Sequence, residues 1–341
     1  MKPFLQLLYF LLLLQSFSIY AQDIEKEKQS DFTIAFGSCN RHNVENLLWD
    51  DIAKTTPNVW IWGGDIVYAD TDNMKTLQKI YAEQNTVKGY QNLKATVPII
   101  GTWDDHDYGI NDGGEEFTVK KESQQAFLDF MSVPKDSPRR QQEGIYTVHE
   151  YSISESTIKI IVLDTRYFRT ALTTDTQTKK RFKPNTYGEG TILGKTQWKW
   201  LENQLKTSTA DFNVIVSSIQ VLSNEHGYET WGNFPHEVDK LERLLVDSKA
   251  KGIIILSGDR HISEFSRKEV NGLSYPLIDF TSSGLTHSST NFSGEPNPFL
   301  VGEVVTAKSF GTLTFDFKMK QVNFKIFGND GEVLEELKQK Y

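Results

Sequence analysis

From residue 32 onward the chain alternates nearly unbroken apolar runs with amphipathic stretches. The apolar runs are Phe32–Phe36, Val59–Trp62, Pro98–Trp103, Ile158–Leu163, Phe212–Ser217, Gly252–Leu256 and Leu277–Phe280. Short runs of this kind, several of them β-branched, predict strands covered on both faces. Gly311–Phe317 and Val322–Phe327 flank a short polar turn at 318–321 and predict an antiparallel hairpin. Helices are predicted over Thr76–Gln84, Lys88–Thr96, Lys121–Phe130, Gly194–Leu205 and Pro235–Lys249. In the last of these, Val238, Leu241, Leu244 and Leu245 recur at helical spacing. The alternation predicts an α/β fold whose ligand-binding loops follow strand carboxyl ends. The polar stretch 169–190 is long enough to predict a surface loop or insertion near the site.

The first residues follow a different pattern. Lys2 precedes an apolar run, Phe4–Leu14, and small and polar residues lead to Ala21. That order predicts a cleaved signal peptide over 1–21, in which the apolar run is too short for a comfortable membrane span. No twin-Arg pair precedes it, so the general secretion route and a periplasmic or secreted protein are expected. Residues 22–31 read as a polar leader, and 32–341 as one domain.

Composition narrows the possibilities. The chain has 341 residues, 38% hydrophobic, 12% aromatic and 24% charged, which is enough apolar material for a large core. Its net charge of −8 gives no electrostatic attraction to nucleic acid or anionic lipid. Cys39 is the one cysteine, which excludes an internal disulfide framework. A monomer acting on a small substrate is expected.

The chemistry lies where the apolar runs stop. Gly37-Ser38-Cys39-Asn40 follows the first run, and Gly63-Gly64-Asp65 through Tyr68 and Asp70 follows the second. Asp104-Asp105-His106-Asp107, Asp164-Thr165-Arg166 and Ser257-Gly258-Asp259-Arg260-His261 follow later ones. Gathered carboxylates repel or titrate unless a cation neutralises them. Asp supplies hard oxygen, His suits transition metals, and Tyr and Cys suit iron or softer ions. The mixture is therefore the composition of a metal site rather than a Ser-His-Asp triad. Trp60, Trp62 and Trp103 beside these runs read as core.

The GGDxxYAD, WDDHD, LDTR and SGDRH runs resemble those of the alkaline phosphatase D (PhoD-like) group of calcineurin-like metallophosphatases, over about Phe32 to His287. The resemblance implies a four-layer αββα sandwich of two mixed sheets with a metal centre at the sheet ends. It implies Asp65 as a carboxylate bridging two metals, and Cys39 and Tyr68 as ferric-iron ligands. Asp105, Asp259 and His261 stand at the positions of further ligands, and His106 at that of the catalytic proton donor. Iron with calcium is the implied metal pair, because Asp in place of Asn and His hardens the site. Gln220 stands where the wider superfamily has another ligand, and His287 lies in a loop resembling one near the metals. Arg166, Arg260 and Asn40, with His42, are candidate phosphate contacts; Asp164 and Arg166 are alternatively a buried ion pair.

These residues point to a secreted phosphoric ester hydrolase, above all an alkaline phosphomonoesterase using a metal-activated hydroxide. A phosphodiesterase or phospholipase-type hydrolase on the same site is the alternative. A calcium-binding surface protein is the alternative outside enzymes, and His106 argues against it, since metal binding alone needs no proton donor.

Overall fold

A computed structural model describes residues 31–341. The expected signal peptide and the leader up to residue 30 lie outside the described residues, and Asp31 already opens a strand. Thirteen strands form the two large sheets. In chain order they are β1 (Asp31–Gly37), β2 (Val59–Gly63), β3 (Ile99–Thr102), β4 (Thr147–Ile153), β5 (Ser156–Val162), β6 (Phe212–Val216) and β7 (Ile253–Ser257). β8 (Ser263–Lys268), β9 (Leu277–Ser282), β10 (Leu300–Val305), β11 (Phe310–Asp316), β12 (Gln321–Phe327) and β13 (Val333–Lys340) follow.

The first sheet has the order β13-β12-β11-β1-β2-β3 and the second β10-β8-β9-β7-β6-β5-β4. Both are mixed. β1, β2 and β3 run parallel, as do β5, β6, β7 and β9, while the remaining large-sheet pairings are antiparallel. The predicted hairpin forms as β11 and β12, with Asp316 opposite Gln321, and β11 pairs with β1 from the other end of the chain.

The two-residue period of a strand divides its side chains between layers. In β2, Val59 and Ile61 join Phe32, Ile34, Val214, Val216 and Leu256 in the apolar layer between the sheets. Trp60 and Trp62 point the other way, into a fully buried cluster with Leu77, Tyr81, Tyr90 and Leu93. Those residues belong to helices α2 (Met74–Gln84) and α3 (Lys88–Thr96), which follow the short α1 (Trp49–Lys54). Trp103 lies in the same cluster. On the far side of the second sheet, Ile215, Ile253 and Ile255 pack against Leu201, Leu205, Leu241 and Leu245. The result is the expected αββα sandwich. Each fully buried Leu, Ile or Val contributes roughly 1.5–3 kcal/mol.

α4 (Asp105–Tyr108) is one turn, α5 spans Lys120–Phe130, α6 spans Gly194–Lys206 and α7 spans Pro235–Ser248. α7 begins with Pro235 in its first turn and stops one residue before the prediction, because Lys249 takes a left-handed φ of 57°. Four strands had no sequence counterpart: β4, β8, β10 and β13. The segment 169–190 is not uniformly a surface loop. Arg169 is fully buried, and Thr173–Thr174 pairs with Phe182–Lys183 as a small hairpin. Among the described residues no helix is long and apolar enough to cross a membrane.

Candidate metal centre

Parallel strands in both sheets bring their carboxyl ends to one edge of the sandwich, and the polar loops meet there. β1 leads to Cys39, β2 to Asp65, β3 to Asp104 and Asp105, and β7 to Asp259 and His261. β9 leads to Ser283, whose Oγ lies 3.1 Å from Cys39 Sγ and accepts from the His261 amide at 2.9 Å. Gly64 at φ 102° lets the β2 loop turn against the β3 loop; a Cβ there would lie 2.6 Å from Asp104 Cβ. Asp107 ties the same loops, accepting from the amides of Asp104 at 2.7 Å and Ile66 at 3.1 Å.

Several of the converging residues hold strained backbone. Cys39, Asp65, Asp259 and His261 have φ of 59°, 51°, 70° and 55°. Left-handed conformations of non-glycine residues cost of order 1–3 kcal/mol each and collect where function constrains geometry.

Asp65 is common to three groups of side chains. In each, one ligand atom per residue lies within 4.8 Å of the others: Cys39, Asp65 and His261; Asp65, Asp105 and His106; and Asp65, Asp104, Asp105 and Asp259. Tyr68 joins the first group, its Oη 3.1 Å from both Asp65 Oδ2 and His261 Nε2. His287 Nε2 stands 3.2 Å from His261 Nε2. Sulfur, phenol and the His261 imidazole thus collect with Asp65 in one group, while Asp104, Asp105 and Asp259 collect with it in another.

The charge state of these groups favours cations. Burial, then repulsion by Asp105, Asp104, Asp107 and Asp259, pushes the Asp65 carboxyl well above its usual range. Burial and Asp105 raise Asp259 to about 7. Asp104 is raised by burial although Arg166 opposes it, and its Oδ2 is buried without a hydrogen-bond partner. Asp105 moves down: burial opposes its charge, but Arg166, His106 and two backbone amides outweigh that. Burial foremost holds His261 at about 4 and His287 at about 3, so both are neutral and have lone pairs to give. Burial, Asp65 and Asp259 raise the Cys39 thiol well above its usual value. Crowded, undercompensated carboxylates beside neutral imidazoles, around one shared carboxylate, fit a pair of cations.

His106 lies at the more open edge. Its Nδ1 is 2.8 Å from both oxygens of Asp70, and its ring packs at a 30° tilt against Tyr68 with centroids 4.1 Å apart. Burial opposes protonation, but the Asp70 hydrogen bond and nearby carboxylates raise its pKa. Asp70 reaches it from an exposed turn at φ 42°.

Other expected site residues are engaged elsewhere. Arg166 is fully buried and is not an open phosphate contact. Its Nε and Nη2 hold Asp104 Oδ1 at 2.6 and 2.5 Å, and Nη1 holds Glu229 at 2.5 Å. Arg169 pairs with the same Glu229 at 2.8 Å. Asp164 is not the ion partner of Arg166; it accepts from Trp103 Nε1 and from the amides of Ile145, Arg166 and Tyr167. Gln220 donates to Glu264 at 2.8 Å and Thr281 at 2.9 Å, outside the three groups. Asn40 is buried, its Nδ2 donating to Ile66 O and Gln84 Oε1 and its Oδ1 accepting from Asn46. His42 pairs with Glu83 at 3.1 Å. Arg260 is held by both oxygens of Glu295, at 2.6 and 2.8 Å, and lies over the Tyr228 ring. The sequence reading did not give roles to Asp104 or Glu229, and it placed His287 only in a loop near the metals, without a role of its own.

An αββα sandwich whose strand ends gather three groups of donors able to hold a metal ion defines a class: α/β proteins with a candidate metal centre at the sheet edge. The chain belongs to the PhoD-like phosphatase family, whose model matches residues 34–295. It is 25% identical over 280 residues to alkaline phosphatase D of Bacillus subtilis (strain 168), a match covering 70% of this chain and 47% of that one. The chain thus spans about half the length of that curated relative. A solved structure of PhoD superposes with a TM-score of 0.72 at 19% identity, covering 91% of this chain and 68% of that one. A dimetal phosphatase from Danio rerio gives 0.57 at 13% identity, covering 91% and 99%. GAP50, the anchor in the inner membrane complex of Plasmodium, gives 0.59 at 14% identity, covering 91% and 89%. A phosphatase and an anchor share this fold, so the donor set carries the argument about activity.

Proposed function

We propose that the protein is an exported, metal-dependent phosphoric ester hydrolase acting on phosphomonoesters. The observation carrying the proposal is Asp65, shared by the three donor groups, with a protonatable His106 beside them. The softer donors Cys39, Tyr68 and His261 suit iron, and the carboxylates Asp105 and Asp259 suit calcium. When bound, two such ions supply Lewis-acid activation of water and neutralise charge on the phosphoryl oxygens. Asp65 would be the carboxylate to hold both ions, and its Oδ1 accepts from the His106 amide at 3.3 Å, tying this side chain to the proton donor. Arg166 offsets the charge of Asp104 from within the protein. His106 donates a proton to the departing alkoxide, and Asp70 holds the ring by Nδ1, leaving Nε2 for that transfer. The polar leader after an apolar amino-terminal run supports export.

Hydrolysis of aryl phosphate mono- and diesters, with and without calcium and chelator, tests this reading. Faster turnover of the monoester, abolished by chelation, is expected. Loss of the proton donor in His106→Ala is expected to lower turnover about 10²–10⁴-fold, with metal content unchanged. Loss of metal in that variant would instead make His106 a ligand. Asp70→Asn is expected to lower turnover about tenfold. Because Asp70 raises the His106 pKa and a general acid works below its pKa, the alkaline limb of the pH–rate profile should move to lower pH.

A further inference from the structure

Three polar residues follow the Cys39 turn in sequence: Asn40, Arg41 and His42. Asn40 and His42 are both committed within the protein, Asn40 to Ile66, Gln84 and Asn46, and His42 to Glu83. The residue between them is differently placed. Arg41 is exposed, and among the described residues its side chain has no ion-pair partner. Its guanidinium carbon stands 5.1 Å over the centroid of the Tyr68 ring.

The backbone at Arg41 is fixed. Its amide donates to Thr286 Oγ1 at 2.8 Å, and the preceding amide, of Asn40, donates to Asp65 O at 2.8 Å. Thr286 Oγ1 also lies 3.1 Å from His287 Nδ1, so one hydroxyl links the Arg41 turn to the His287 loop. The Tyr68 hydroxyl in turn lies 3.1 Å from Asp65 Oδ2 and from His261 Nε2, which places the guanidinium at the edge of the centre. The other arginines near the centre are neutralised by protein carboxylates: Arg166 by Asp104 and Glu229, Arg260 by Glu295. A free cation beside a dense cluster of buried acids is where an incoming anion gains most.

We infer that Arg41 is the side chain that binds the non-bridging oxygens of a phosphate group at this centre. The bonded network around Asn40 serves to aim it. The inference rests on the hydrolase reading and deepens it. A guanidinium over Tyr68 matches a terminal, dianionic phosphate: it offers parallel donors to two oxygens, and its attraction grows with the charge of the ligand. A diester carries one negative charge and one fewer free oxygen, so Arg41 favours monoesters.

The test uses the full metal-loaded protein and inorganic phosphate as the probe. Isothermal titration of phosphate should show Arg41→Ala binding about 10- to 100-fold more weakly than wild type, a loss of about 1.4–2.7 kcal/mol. Arg41→Lys, which keeps charge but not the fork, should fall between the two. Metal content should equal wild type in both variants. With an aryl phosphomonoester, Arg41→Ala should raise KM by a similar factor and change kcat less, while a diester is affected less than the monoester. Phosphate affinity within twofold of wild type in Arg41→Ala overturns the inference. So does loss of metal in that variant, which would make Arg41 a support for Tyr68. Failure of phosphate to bind the wild-type metal-loaded protein overturns it as well. A wild-type protein that binds phosphate through Arg41 but turns over neither ester leaves the inference standing and removes the hydrolase reading.

Discussion

Asp65→Asn is expected to lower turnover by about 10³-fold or more and to cut bound metal from two ions per chain to one or none. The size follows from position. Asp65 belongs to all three donor groups, whereas Cys39, His106, Asp104 and Asp259 each belong to one. Asn keeps one oxygen but loses the charge, so it cannot hold two cations at once. Metal ions contribute several kcal/mol of charge stabilisation in phosphoryl transfer, and each 1.36 kcal/mol is tenfold in rate. The variant should nevertheless fold, because it removes one buried charge from a cluster that repels it. Metal analysis together with steady-state kinetics checks both parts. A variant with two tightly held ions and near wild-type turnover would remove Asp65 from the bridge.

Asp259→Asn is expected to stabilise the metal-free protein at pH 8 by raising its Tm about 5 °C, although it damages the metal-loaded enzyme. Burial and Asp105 raise the Asp259 carboxyl from 3.8 to about 7. Between those values the folded state holds more protons than the unfolded state, so this group's contribution to stability is lost as pH rises through the window. Neutral Asn escapes that loss, and it accepts the φ of 70° at this position much as Asp does. The gain over wild type should therefore be largest above pH 7 and shrink towards pH 4. The comparison matters, because His261 and His287, held at about 4 and 3, act in the opposite direction below 6.5. Their contribution is common to both proteins and cancels in the difference. Saturating metal should reverse the order, since bound cations stabilise wild type by mass action and the variant less. Thermal unfolding of both proteins in chelator, from pH 4 to pH 8, checks this. A difference that does not change with pH would mean that Asp259 is not held protonated by its neighbours.

Much of the scaffold was legible because the signal was local. An apolar run ended by Gly-Asp marks both a covered strand and the point where its loop turns, and Val59–Gly63 followed by Asp65 is the plainest case. The same pattern brought out Cys39, Asp105, Asp259 and His261, which the fold gathers around Asp65. β13 was not legible. Its sequence, VLEELKQK, is rich in helix formers, and it is a strand only because β12 offers an edge. β8, SEFSRK, is similarly too polar to declare itself, although all but its last two residues are buried.

The pairings within the site were the least legible part. Arg166 looks like a phosphate contact when read beside Asp164, yet its partners Asp104 and Glu229 lie 62 and 63 residues away in the chain. Whether an arginine faces a substrate or a buried acid depends on such distant partners, and no local pattern encodes them. Asp70, itself at a left-handed φ of 42°, meets His106 across 36 residues of chain, which no local pattern encodes. Arg41 was hidden for the converse reason: its neighbours Asn40 and His42 look equally polar, and only their internal partners distinguish them from it.

The central claim is that metal held around Asp65 is what hydrolyses the ester. Its most direct test is turnover of an aryl phosphomonoester measured against metal ions bound per chain, counted by mass spectrometry as the chelated protein is reloaded. Activity should be absent without metal and rise to a maximum as the second ion fills. A protein carrying two ions per chain that hydrolyses neither the monoester nor the diester would contradict the account.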